Sequence, residues 1–135
     1  MITKTLAMAL IGIMAITSGE AHAENLPANT VPILPGATVR SIKQEPCLVS
    51  VREWTHGSEA ETVAFYANWA VSKGLIKSDK ASSSSVDRRL LYFVDSKTNE
   101  SLTLMLSSDT DHNYVSAMYD VGTTKSGCPD SPMIR

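Results

Sequence analysis

One stretch of this chain has helical periodicity with both ends punctuated, and the segments around it alternate as strands do. That combination restricts the chain to a small α+β fold. Ser58 and Glu61 form a Ser-x-x-Glu capping box, and Gly74 stands where a helix-terminating glycine belongs. Glu59 and Glu61 occupy the first turn and Lys73 the last, as the helix dipole favours. Between them Val63, Tyr66, Ala67 and Ala70 follow 3–4 spacing and define the stripe expected to face a sheet. Phe65 and Trp69 form a second i, i+4 pair on another flank.

Before the helix, Val39–Gln44 and Cys47–Trp54 read as two strands separated by Glu45-Pro46, a hairpin signature. In the second, Cys47, Val49 and Val51 share one face, and Leu48, Ser50, Arg52 and Trp54 share the other. The first is weakly apolar and suits a sheet edge. After the helix, Lys77 to Asp87 is polar and serine-rich and reads as a loop. Three more strands follow, over Arg88–Val94, Leu102–Leu106 and Tyr114–Val121, with turn-rich gaps that imply an antiparallel meander. Leu102, Leu104 and Leu106 line one face of the middle strand. In the last, Val115, Ala117, Tyr119 and Val121 oppose Tyr114, Ser116, Met118 and Asp120. The expected fold is therefore α+β in the order β-β-α-β-β-β, with a four- to five-stranded antiparallel sheet and one helix on one face.

Residues 1–23 have the parts of a secretory signal peptide: Lys4, an uncharged apolar run from Leu6 to Ile16, and the small-x-small cleavage pattern Ala21-His22-Ala23. The apolar run is shorter than the ~20 residues that span a bilayer, so no stable membrane insertion is expected after cleavage. Removing 23 of the 135 residues leaves 112, and because Lys4 and Glu20 leave together the net charge stays at −2. That balance gives no basic footprint for nucleic acid. Residues 24–37 form an extended, proline-rich lead-in whose apolar side chains are expected along the surface. Residues 38–135 form a single domain. Cys47 and Cys128 are the only cysteines, and in an exported chain they read as a disulfide closing that domain, consistent with a periplasmic or secreted location.

The lead-in Pro32-Ile-Leu-Pro-Gly-Ala37 with Val39, and the helix segment Glu61-Thr-Val-Ala-Phe-Tyr66, resemble small exported bacterial α+β domains of uncharacterised function. The resemblance covers roughly residues 32 to 121 by the order of elements. It implies a bacterial periplasmic setting and no activity, and carries no site residues with it. Such domains often have Gly-Trp after the helix, whereas Gly74-Leu75 stands here.

Chemistry-bearing motifs are sparse. His56 and His112 are the histidines after residue 23. His112 sits with Asp109 and Asp111 in a stretch that also suits a hairpin turn and departs from the calcium-loop pattern. No serine nucleophile elbow or phosphate-cradling glycine loop is present. No catalytic residue, metal ligand or cofactor is assigned, and an enzyme is the less favoured class. The expected function is a non-enzymatic interaction module for a protein or envelope component. It would use one sheet face or the Phe65/Trp69 flank, with Arg88 and Arg89 as neighbouring contacts. Two alternatives remain. One is a small-ligand carrier with an apolar pocket lined by Tyr66, Tyr92 and Tyr119, and the other a small hydrolase or metal site near Asp111 and His112.

Overall fold

The computed structural model describes residues 24–79, 82–84 and 88–129. The signal segment read at 1–23 lies outside the described residues.

The helix, α1, spans Glu59–Ser72. Its capping box is formed in both directions: the Glu61 N–H donates to Ser58 Oγ, and the Ser58 N–H donates to Glu61 Oε1, each at 3.1 Å. The Ser58 N–H first, and then the Ser58 hydroxyl, which also donates to Oε1 at 3.1 Å, hold the Glu61 carboxyl below the usual carboxylate range. At the other end Gly74 takes φ +85°, which lets the Leu75 N–H reach the Ala70 carbonyl and the Gly74 N–H reach that of Val71, both at 2.9 Å. This Schellman closure drops Leu75 into the core. The buried stripe of α1 is Thr62, Tyr66 and Ala70, and Val63 and Ala67 are only half-buried on its flank. The stripe expected around Val63 is thus rotated by part of a turn. Thr62 can be buried because its hydroxyl donates to the Ser58 carbonyl at 3.2 Å.

All strands join one antiparallel sheet: β1 (Thr38–Gln44), β2 (Leu48–Thr55), β3 (Ile76–Lys77), β4 (Ser83–Ser84), β5 (Arg88–Val94), β6 (Ser101–Ser108) and β7 (Asn113–Asp120). Their order is β1-β2-β7-β6-β5-β3, with β4 also pairing β5. The α+β class stands, but the sheet has seven strands rather than four or five. The difference lies in the stretch 77–87 read as a loop and in Ile76 just before it. There two two-residue strands pair with β5, Ile76 opposite Val94 and Ser83 opposite Leu90. Too short for periodicity to register, they cap an edge that would otherwise be open. The meander β5-β6-β7 returns the chain to β2 at the centre of the sheet, and α1 bridges from β2 to the far side.

Alternation along the strands builds the core. Val49 and Val51, Leu102 and Leu104, and Val115 and Ala117 are buried on the face that α1 covers, where Tyr66 and Ala70 join them. The lead-in departs from expectation: Val31 and Leu34 are buried in this core rather than laid along the surface. What draws them in is Glu53, which continues the Val49–Val51 face of β2 and is only 1 % exposed. Its Oε1 accepts the Leu34 N–H at 2.8 Å, and its Oε2 meets the Tyr66 hydroxyl, which also lies 3.0 Å from the Pro32 carbonyl. The carboxyl thereby ties lead-in, sheet and helix together.

Cys47 and Cys128 form a disulfide across a sequence separation of 81. It joins the β1–β2 turn to the segment after β7, where Val121 N–H also donates to the Cys47 carbonyl at 3.0 Å. The same region needs Gly122, whose φ is +56° and whose missing Cβ would lie 2.4 Å from the Thr98 carbonyl oxygen and the Asn99 carbonyl carbon.

Candidate functional site

A sheet with one helix has a second face, and strand alternation decides what stands on it. Opposite the core, β2 carries Ser50, Arg52 and Trp54, β7 carries Tyr114, Ser116 and Met118, and β6 carries Thr103, Met105 and Ser107. The register sets them in rows across the strands. Trp54, Tyr114 and Ser107 form one row, Arg52, Ser116 and Met105 the next, and Ser50, Met118 and Thr103 the third. Met105 and Met118 are 48 % and 40 % exposed, and Arg52 is exposed beside them. Among the described residues no helix lies over these rows. The adjoining edge strand β1 is exposed along its whole length.

At one end of this face an aromatic group is assembled by the β6–β7 turn. The Trp54 ring packs edge-on against His112, with centroids 4.3 Å apart, and against His56 at 5.3 Å. The two imidazoles are 5.0 Å from each other. Asp109 fixes the turn: its Oδ1 accepts the N–H groups of Asp111 and His112 at 2.9 Å, and its Oδ2 accepts the Tyr114 hydroxyl at 3.0 Å. Those bonds hold the Asp109 carboxyl below the usual range, and the bond to Asp109 in turn pushes the Tyr114 phenol up. His56 Nδ1 lies 3.2 Å from the Asp111 carbonyl, a contact that requires the proton on Nδ1. The Arg40 guanidinium, at a register shift in β1, sits 5.5 Å from the centre of the Tyr114 ring.

Arg40, Arg52, Met105, Ser107, Tyr114 and Ser116 border a shallow depression of about 100 Å³. A larger cleft of about 460 Å³ opens beside β3, between Gly74 and Lys97. Of its charged groups, Lys77 is paired with Asp79 at 3.6 Å and Asp95 accepts the Lys97 N–H at 2.9 Å.

No family model matches the chain, and neither does any curated protein or solved structure. The residues themselves therefore carry the reading. Of the side chains singled out in the sequence, Phe65 and Trp69 are half-buried against the core. Phe65 packs on Tyr66 at 5.0 Å and Trp69 on Tyr119 at 5.2 Å, with Lys73 Nζ over both latter rings. Arg89 is paired with Glu59 at 3.5 Å, and Arg88 is exposed at the start of β5. Tyr66 and Tyr119 belong to the helix-covered core, each bonded through its hydroxyl to a buried glutamate, Glu53 and Glu100. Burial first, and then the glutamate, raises both phenols well above their ordinary value. Tyr92 alternates with Leu91 and Phe93 and so stands on the other face, which means the three tyrosines do not converge. His112 and Asp111 do meet His56, but among the described residues no group of three or more metal-ligating side chains is present.

Sequence reasoning passed over Glu53, Glu100, and the Trp54–His56–His112–Tyr114 group. Glu53 was within reach, because a carboxylate continuing the Val49–Val51 alternation has to be buried. The aromatic group depends on the β2–β7 register, which no local pattern specifies.

Proposed function

We propose that the chain is an exported bacterial protein, cleaved after Ala23. In an oxidising compartment it would serve as a non-enzymatic interaction module that binds a protein partner through the sheet face opposite α1. The observation that carries this reading is the composition of that face. Two exposed methionines, Met105 and Met118, share this face with Trp54, Tyr114 and Arg52 across the paired strands β2, β7 and β6. Aromatic residues, methionine and arginine are the types enriched in protein interfaces, and unbranched methionine adapts to a partner's contour. The Phe65/Trp69 flank supports the same function less well, since both rings are engaged in packing against Tyr66 and Tyr119. The disulfide is compatible with an oxidising compartment, and among the described residues no helix is long and apolar enough to cross a membrane.

The test is partner capture by tagged mature protein from envelope extracts of the native host. Trp54→Ala, which alters the open face, is expected to abolish capture of the partner. Arg89→Ala, beside the helix flank, is expected to retain it. The opposite result would move the binding surface to the helix side.

A further inference from the structure

We propose that the depression between Arg40 and Arg52 receives the carboxylate of an aspartate or glutamate from the protein partner. This rests on the reading of the open face as the binding surface and names the chemistry at its centre. Arg40 and Arg52 come from different strands, β1 and β2, yet border the same depression. Neither makes an ion pair or a side-chain hydrogen bond with a described residue, although the chain as a whole carries more acid than base.

Two of the nearby carboxylates, Glu53 and Asp109, are committed elsewhere, and Asp111 is exposed in the β6–β7 turn, near enough to Tyr114 to help push its phenol up. Glu53, also at the border, holds its carboxyl on the core side of the sheet, against Leu34 and Tyr66. Asp109 is filled by two backbone N–H groups and the Tyr114 hydroxyl. Two exposed arginines thus border the depression together with Met105, Tyr114, Ser107 and Ser116. Arg40 is held in place by its stacking on Tyr114, so part of the ordering cost of binding is already met.

A planar guanidinium fork matches a carboxylate in bidentate fashion, and a space of about 100 Å³ admits a group of that size but not a lipid headgroup with its glycerol. The depression is shallow and the surrounding face carries Met118 and Trp54, which suits the body of a protein rather than a small molecule that must be enclosed.

The probe is N-acetyl-glutamate amide, titrated into isotope-labelled mature protein, with inorganic phosphate in a parallel series. The readout is the NMR resonances of the arginine Nε–Hε groups. The expected result is a saturable shift confined to Arg40 and Arg52, weakened at least tenfold in Arg52→Gln. Arg52→Lys should weaken it too, because it keeps the charge and loses the fork. Both positions are exposed, so the backbone spectrum of each variant should stay that of the folded protein. No saturable shift, an equal shift in Arg52→Gln, or a shift with phosphate alone would overturn the proposal. In the capture assay, partner binding that survives Arg40→Glu/Arg52→Glu but is lost with Trp54→Ala would overturn this inference and leave the binding face standing. Binding that survives all of these substitutions would remove both.

Discussion

Replacing Glu53 with glutamine should remove one contribution to the protein's pH-dependent stability, in a range where the parent weakens. The Tyr66 hydroxyl has one hydrogen and stands against two acceptors, the Pro32 carbonyl at 3.0 Å and Glu53 Oε2. Both contacts are satisfied only if the carboxyl is protonated. Glu53 then donates to the Tyr66 oxygen, Tyr66 donates to Pro32, and Glu53 Oε1 still accepts the Leu34 N–H. Burial drives the Glu53 pKa in the same direction, upward, and outweighs the downward pull that the ionised carboxylate would gain by accepting the Tyr66 O–H and the Leu34 N–H.

A carboxyl whose folded pKa is raised contributes stability that is complete below its unfolded value of ~4.3 and is lost as pH rises through the folded pKa. Between those two values the folded state holds up to one proton more than the unfolded one, so stability falls by at most ~1.4 kcal/mol per pH unit. Glutamine keeps the shape, with its NH₂ replacing the acid O–H as donor to Tyr66. The measurement is urea unfolding of the mature protein and Glu53→Gln at matched pH values from roughly 4 to 8, a range that brackets the unfolded carboxyl. Taking the difference cancels every other titrating group. The difference should grow in favour of glutamine as pH rises from the acid end, then level off above the folded pKa. A flat difference, or one that favours the parent at higher pH, would refute the hydrogen assignment.

Other outcomes follow from single contacts. Cys47→Ala/Cys128→Ala removes a cross-link over 81 residues and should lower stability by up to ~4.5 kcal/mol on the chain-entropy account, read as a fall in urea midpoint that matches the effect of reductant on the parent. Gly122→Ala places a methyl 2.4 Å from the Thr98 and Asn99 backbone at positive φ and should cost at least about 2 kcal/mol, seen in thermal melts. Ser58→Ala removes the acceptor for the Glu61 N–H and should cost about 1 kcal/mol by the same melts, with the fold retained.

Much of this architecture was legible because it is local. The capping box, the terminating Gly74, and the alternation of Leu102, Leu104 and Leu106 each depend on neighbours within a few residues, and the structure realises all of them. The paired β3 and β4 were not legible, since two residues cannot display a period of two. The burial of Val31 and Leu34 was missed for another reason. A proline-rich segment has few donors for a ladder, but here the Leu34 N–H and the Pro32 carbonyl find partners in the side chains of Glu53 and Tyr66, so the segment can be buried without joining the sheet. For the candidate site the alternation of β2, β6 and β7 told which residues share a face, Arg52 and Trp54 among them. It could not tell that Tyr114 stands opposite Trp54, or that Arg40, at a register shift in β1, lies over Tyr114. Those are long-range facts, and the site consists of them.

The location of the binding surface can be read directly by photo-crosslinking in living cells of the native host. One photoreactive residue would replace Met118, at the centre of the face opposite α1, and another would replace Val71, 67 % exposed on the helix. A crosslinked partner of defined mass from position 118 and none from position 71 is the predicted result. Crosslinks from position 71 alone, or from neither, would contradict the account.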